Sequence, residues 1–403
     1  MAKTHVEDIE DHTRVPFLRG ILIRSLQGAG LEFDTASRIA SEIRHKLDET
    51  ALISTKNLDR MVLDQLKRDV GNEVALRYEN RNMPVSIRVE QQCGRINPFS
   101  GHKFRNSLET IGLKPRDSEA VVRMLQDHLT NKSVQIIKSR HLAMLIYRYL
   151  RQSSKFGAAV ALRWLVWHDF INSGRELIFL IGGTAGCGKS SNASTLANRL
   201  EIVHTQSTDM LREIMRTMIP KRLMPVLHQS SFNAWKGFPE QPAKGAEIPE
   251  SMVIQGYRSQ ADLLSLAIEA VIMRATREQV SLILEGVHLH PVLMENLQSK
   301  TDAVVIPVML ALLKRKHLQQ RIKMRSTNVP DRGTEHYLQY FDDIWSLQSY
   351  LLSEADHNNI DIVINEDRET VFAEIMRITI STLTKSFLGT PEQVFGEQSF
   401  VDQ

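Results

Sequence analysis

Residues 176–191 read Glu-Leu-Ile-Phe-Leu-Ile-Gly-Gly-Thr-Ala-Gly-Cys-Gly-Lys-Ser-Ser. The apolar run Leu177 to Ile181 has the length of a buried strand. From Gly183 to Ser190 the spacing is G-x-x-x-x-G-K-S, which matches a phosphate-binding loop at every position. A helix-compatible stretch, Asn192 to Leu200, follows, so the loop has the strand–loop–helix setting it needs. The residue types have physical reasons. Glycines let backbone amides turn inward around phosphate oxygens, and the following helix adds its positive N-terminal dipole. The expected nucleotide-binding residues are Gly183, Thr184, Ala185, Gly186, Cys187, Gly188, Lys189, Ser190 and Ser191. Lys189 is expected to act catalytically by reaching the β- and γ-phosphates, and Ser190 to ligate Mg²⁺. ATP and Mg²⁺ are the cofactors implied.

A phosphate loop needs further parallel strands around it. Ile202-Val203 leads to Ser207-Thr208-Asp209, and Val280 to Leu284 leads to Glu285-Gly286. Ala303 to Leu310 and Ile360 to Ile364 complete five strands separated by helical segments. The expectation is an α/β domain with a parallel five-stranded sheet, whose sites lie at the strands' C-terminal ends. Asp209 and Glu285 both stand at such ends. Asp209 is the candidate catalytic carboxylate for the attacking hydroxyl, and Glu285 the candidate second metal ligand. Arg212 and Arg216, four residues apart on one helix face, fit an anionic substrate because the guanidinium fork matches phosphate and carboxylate. His228, Lys236 and Arg258 join them as acceptor-binding candidates in a long insertion between the second and third strands. A basic cluster surrounds Ser326 to Gly333, the profile of a mobile lid. Arg321 and Arg325 are its catalytic candidates.

Composition sets the outer limits. At about 150 residues per domain, 403 residues suggest two to three domains. The 42% hydrophobic and 24% charged fractions are those of a folded chain. The net charge of +3 argues against a nucleic-acid partner. Two cysteines, Cys93 and Cys187, make no disulfide framework or zinc spacing. No apolar run approaches the roughly 18 residues of a membrane helix, and Met1 to Arg14 lacks a signal-peptide core. The expectation is a cytoplasmic protein without a membrane partner, with a homo-oligomer left open.

The N-terminal part repeats itself. Pro16-Phe17, Ser25-Leu26 and Gly30-Leu31 recur as Pro98-Phe99, Ser107-Leu108 and Gly112-Leu113, at an offset of 82. Val74-Ala75-Leu76-Arg77-Tyr78 recurs as Val160-Ala161-Leu162-Arg163-Trp164, at an offset of 86. Within the first copy, Ala36, Ile39, Ala40, Ile43 and Leu47 share one helix face, as do Leu58, Val62, Leu66 and Val70. Asp34 and Asp117 are expected as N-caps. Val85 to Val89 alternates and predicts a short strand. The boundaries expected are 1–84, 85–170, 171–388 and a tail at 389–403.

On these residues each copy resembles an ATP-cone, a small, mainly helical nucleotide-binding regulatory domain. The second copy keeps Gly94-Arg95, Phe99 and Lys103, where that family binds nucleotide. The first has acidic Glu7 to Asp11, and Ile21 in place of the lysine, which suggests lost binding. The rest of the chain, about 175–385, resembles the 2-phosphoglycerate kinases of the P-loop kinase superfamily. The resemblance rests on Gly182 to Ser191, Ser207-Thr208-Asp209, Leu227 to Lys236, Tyr257 to Gln260, Leu284 to Leu289, and His317 with Arg321 and Arg325. It implies transfer of the ATP γ-phosphoryl group to 2-phosphoglycerate, giving 2,3-bisphosphoglycerate, with a nucleotide effector at the repeats. Trp345 departs from the family's arginine. Another phosphorylated small-molecule acceptor, such as an inositol phosphate, and a non-catalytic nucleotide sensor are the alternatives.

Overall fold

A computed structural model describes residues 4–7, 14–29, 31–48, 50–81, 87–91, 94–132, 134, 136–243, 246–328 and 334–396. Contacts divide the chain into two compact units, 1–99 with 127–138, and 100–126 with 139–403. That division cuts through the expected 85–170 segment.

The repeat in sequence is a repeat in structure. The first copy runs β1 (His5–Glu7), β2 (Arg14–Pro16), α1 (Arg19–Gly28), α2 (Phe33–Lys46), β3 (Leu52–Ser54), α3 (Thr55–Asp69) and α4 (Asn72–Arg81). The second runs β4 (Arg88–Glu90), β5 (Ile96–Pro98), α5 (Gly101–Thr110), α6 (Pro115–Asn131), β6 (Ile136–Lys138), α7 (Ser139–Gln152) and α8 (Gly157–Ser173). In both, an antiparallel hairpin takes a parallel third strand on its first strand, giving the orders β2-β1-β3 and β5-β4-β6.

Helical spacing explains the first core: Ala36, Ile39, Ala40 and Ile43 are fully buried, as are Val62 and Leu66. Val70, expected on the same face, is exposed beyond the end of α3. Asp34 and Asp117 lie inside the first turns of α2 and α6 rather than at the caps, where they still complement the helix dipole. The strand expected from Val85 is β4, from Arg88; residues 85 and 86 lie outside the described residues, as do 8–13. In the second copy the Gly-Leu turn and the Arg-aromatic pair meet. Gly112, at φ +91°, leaves room for Arg163, whose Nη1 would stand 2.8 Å from a Cβ there.

The kinase-like part holds β7 (Leu177–Gly182), α9 (Lys189–Leu200), β8 (His204–Ser207), α10 (Thr208–Met218), α11 (Glu250–Arg277), β9 (Leu282–Glu285), α12 (Pro291–Gln298) and β10 (Val304–Ala311). It continues with α13 (Arg315–Asn328), α14 (Thr334–Gln339), α15 (Phe341–His357), β11 (Asp361–Ile364), α16 (Arg368–Thr384) and α17 (Pro391–Phe395). The five strands are all parallel, in the order β11-β10-β7-β9-β8. β7 is central and buried throughout, as a doubly covered parallel strand must be. The second strand is His204–Ser207, not Ile202-Val203. It is an edge strand with two exposed residues, and Val203 is exposed beside it. The expected tail contains α17, whose Val394 and Phe395 are buried. Phe395 packs at a tilt against Tyr147 and edge-on against His168, so α17 is fastened to α7 and α8.

Candidate active site

The loop after β7 takes left-handed backbone at Gly186 and Gly188, with φ of +84° and +94°. A side chain at Gly188 would overlap the Asn365 amide, so glycine is needed for conformation and for space. Asn365 is the polar residue that follows β11, and it is buried. Its Nδ2 donates to the Cys187 carbonyl at 2.6 Å, and Arg321 donates to the Asn365 carbonyl at 2.8 Å. Asn365 therefore ties the loop to α13. In the sequence it was only the residue closing the last strand; its position at a parallel strand's C-terminal end was the available signal.

Lys189 Nζ donates to the Thr184 carbonyl at 2.9 Å and lies 4.0 Å from Cys187 Sγ, holding the loop closed on itself. Cys187 is fully buried. Ser190 Oγ donates to Glu285 Oε1 at 2.8 Å, because β9 runs beside β7 and ends level with the loop. A hydroxyl and a carboxylate so joined are the donor set that suits Mg²⁺ beside phosphates. Among the described residues no cluster of three or more His, Cys, Asp or Glu could hold a metal by itself.

Two cavities flank the loop. One, of about 460 Å³, is lined by Gly186, Gly188, Ser191, Arg321, Asn365 and Asp367, among others. The second, of about 570 Å³, is lined by Ala185, Ser207, Asp209, Arg212, Ser230, Phe232, Glu285 and Tyr337, among others. Lys189 and Ser190 line both. The exposed Asp209 carboxylate stands 3.7 Å from Arg212, whose Nη1 is held by the Gln229 carbonyl at 2.7 Å.

The other four expected acceptor residues, Arg216, His228, Lys236 and Arg258, are not among the residues lining these two cavities. Arg216 pairs with Glu213 at 3.0 Å and lines neither cavity. His228 Nε2 bonds the Ile219 carbonyl at 2.8 Å. Lys236 lies over the Tyr340 ring, 4.6 Å from its centre, and donates to the Tyr340 hydroxyl. Arg258 is exposed on α11 and acts electrostatically on His290 and Tyr350. His228 and Lys236 lie in short 3₁₀ turns of the insertion, whereas Arg216 is on α10 and Arg258 on α11. Trp345 packs with Phe232, Phe341 and Ile344. Arg325 lies on α13 with its side chain outside the described residues, as are 329–333 of the expected lid.

A central parallel strand running into this loop, with a nucleotide-sized cavity on one side and a carboxylate-lined cavity on the other, defines a P-loop kinase, an ATP-dependent phosphotransferase. No protein-family model matches the chain. The 2-phosphoglycerate kinase of Pyrococcus furiosus is 30% identical over 313 residues, covering 76% of this chain and 99% of that protein. That of Methanococcus maripaludis strain C7 is 32% identical over 298 residues, covering 71% and 91%. The chain belongs to the 2-phosphoglycerate kinase family. Among solved structures, shikimate kinase from Acinetobacter baumannii, in complex with shikimate, gives 15% identity and a TM-score of 0.30 over 55% of this chain and 99% of its own.

Proposed function

We propose that the protein transfers the γ-phosphoryl group of ATP to the free hydroxyl of 2-phosphoglycerate, giving 2,3-bisphosphoglycerate and ADP. The observation that carries this reading is that Lys189 and Ser190 line both cavities, so a phosphoryl group held by them faces both. ATP occupies the side of Gly188, Arg321 and Asn365; the acceptor occupies the side of Asp209 and Arg212. The acceptor oxygen forms a bond to the γ-phosphorus, and the bond from that phosphorus to the bridging oxygen breaks. Asp209 takes the hydroxyl proton, Arg212 holds an acceptor anion, and Lys189 and Arg321 offset charge on the transferring group. Ser190 and Glu285 would hold Mg²⁺, which when bound neutralises phosphate charge. The family assignment supports the acceptor. The test is ADP release with and without 2-phosphoglycerate, with the product identified by ³¹P NMR. Acceptor-independent ADP release, or turnover only with an inositol phosphate, would overturn it.

The two N-terminal repeats are, in this reading, ATP-cone-like sensors that bind a nucleotide effector, and the protein works in the cytoplasm. In the first repeat a cavity of about 1050 Å³ is lined by Phe17, Arg19, Ile21, Arg24 and Arg44, among others. Its arginines favour an anion despite the missing lysine at Ile21. Equilibrium dialysis should bind more than one ATP or dATP per chain; a single equivalent would remove the sensor role.

A further inference from the structure

Thr208, Gln260 and His288 are polar and fully buried, and the reaction above uses none of them. They form one chain of hydrogen bonds. Thr208 Oγ1 meets His288 Nδ1 at 2.9 Å, and His288 Nε2 meets Gln260 Oε1 at 2.9 Å. Gln260 Nε2 donates to the carbonyls of Val226 at 2.7 Å and Gln229 at 3.0 Å. Those two acceptors fix the amide, so its Oε1 must accept. His288 then donates from Nε2 and accepts the Thr208 proton at Nδ1. Burial lowers the His288 pKa to about 4, which keeps the ring in this neutral form.

Both ends of the chain reach the acceptor cavity. Thr208 immediately precedes Asp209 at the start of α10. The Gln229 carbonyl that receives Gln260 also receives Arg212 Nη1, and Ser230, next in sequence, lines the cavity. Gly286 presses its backbone against Thr208 so closely that any side chain there would overlap the hydroxyl.

We propose that His288 is a positioning residue: through Thr208 and Gln260 it sets Asp209, Arg212 and the Gln229–Ser231 wall in register around the acceptor. The proposal rests on the assignment of Asp209 and Arg212 to the acceptor side. In a low-dielectric interior a fully satisfied polar chain holds its ends rigidly, and a misplacement of about 1 Å at a reacting group costs about 10²-fold in rate.

The experiment compares the full-length chain with Thr208→Val and Thr208→Ser. Valine removes the hydroxyl and keeps the shape; serine keeps the hydroxyl. We expect Thr208→Val to lower kcat with 2-phosphoglycerate by at least about tenfold while the KM for ATP stays within about twofold, and Thr208→Ser to recover most of kcat. Equal kcat per folded molecule in the two variants and the wild type, whatever their Tm, would overturn the proposal. If Thr208→Val does not fold, His288→Asn, which cannot span Thr208 to Gln260, takes its place with the same criteria. Should the wild type prove inactive on 2-phosphoglycerate, the acceptor reading fails by itself. Crystal structures then decide the positioning: Asp209 and Arg212 displaced in the valine variant but not in the serine variant uphold it, and superimposable side chains overturn it.

Discussion

Among the described residues Lys189 is the one charged side chain that lines both cavities, and its Nζ donates to the Thr184 carbonyl. Replacing it with alanine should abolish turnover while Tm and circular dichroism stay near the wild type; normal kcat would refute its role. Asn365 acts on the same loop from the outside. Asn365→Ala removes the bond to the Cys187 carbonyl and leaves that buried acceptor unpaired, at a cost of about 1–3 kcal/mol. Its KM for ATP should rise about tenfold, with KM for the acceptor little changed. At this scale legibility followed contiguity. The loop is a short unbroken motif whose backbone geometry its own glycines impose, so it could be read directly. Arg216, His228, Lys236 and Arg258 have the right chemistry but point where turns and neighbouring helices take them, and no local pattern encodes that.

Elements were more legible where burial demanded apolar residues. Four of the five sheet strands stand out as apolar runs, and His204–Ser207, an edge strand of sequence His-Thr-Gln-Ser, does not. The duplication was visible from paired turns and is repeated element by element. What the pattern did not disclose is α17, five residues whose place depends on the aromatic surface of α7 and α8. That surface contains a titrating device. His168 on α8 is buried against Trp164 and near Phe395, ring centres 4.3 and 5.7 Å away, and burial lowers its pKa from 6.5 to about 4. A depressed histidine pKa means that the folded state resists the proton the unfolded chain accepts. The stability it contributes is intact above about pH 6.5 and is lost as pH falls towards 4. His288 behaves alike, so His168→Leu should flatten the fall in urea midpoint between pH 7 and 5 only in part. Parallel slopes in variant and wild type would contradict the assignment.

At the scale of the molecule, length and composition suggested two to three domains, and residue 171 was the expected start of the kinase domain. Contacts join the residues on either side of that point. Phe170 meets Phe387 with ring centres 5.5 Å apart, Asn172 donates to the Val394 carbonyl at 2.9 Å, and Gly389 donates to Asp169 at 2.8 Å. The helices α7 and α8 belong with the sheet, in the unit that also holds α5 and α9. A chain cut to 171–403 should therefore lose solubility or drop sharply in Tm, whereas one beginning at 139 should keep a cooperative transition; equal behaviour would restore the boundary at 171. The near-neutral net charge argued against a nucleic-acid reading but concealed how few cations face the acceptor, Lys189 and Arg212 among the described residues. The central claim is that phosphoryl transfer crosses the loop between two cavities onto 2-phosphoglycerate. It is tested most directly by ³¹P NMR of the purified chain with ATP, Mg²⁺ and 2-phosphoglycerate. Stoichiometric 2,3-bisphosphoglycerate, absent with Lys189→Ala, is the expected result; ADP without that product would contradict it.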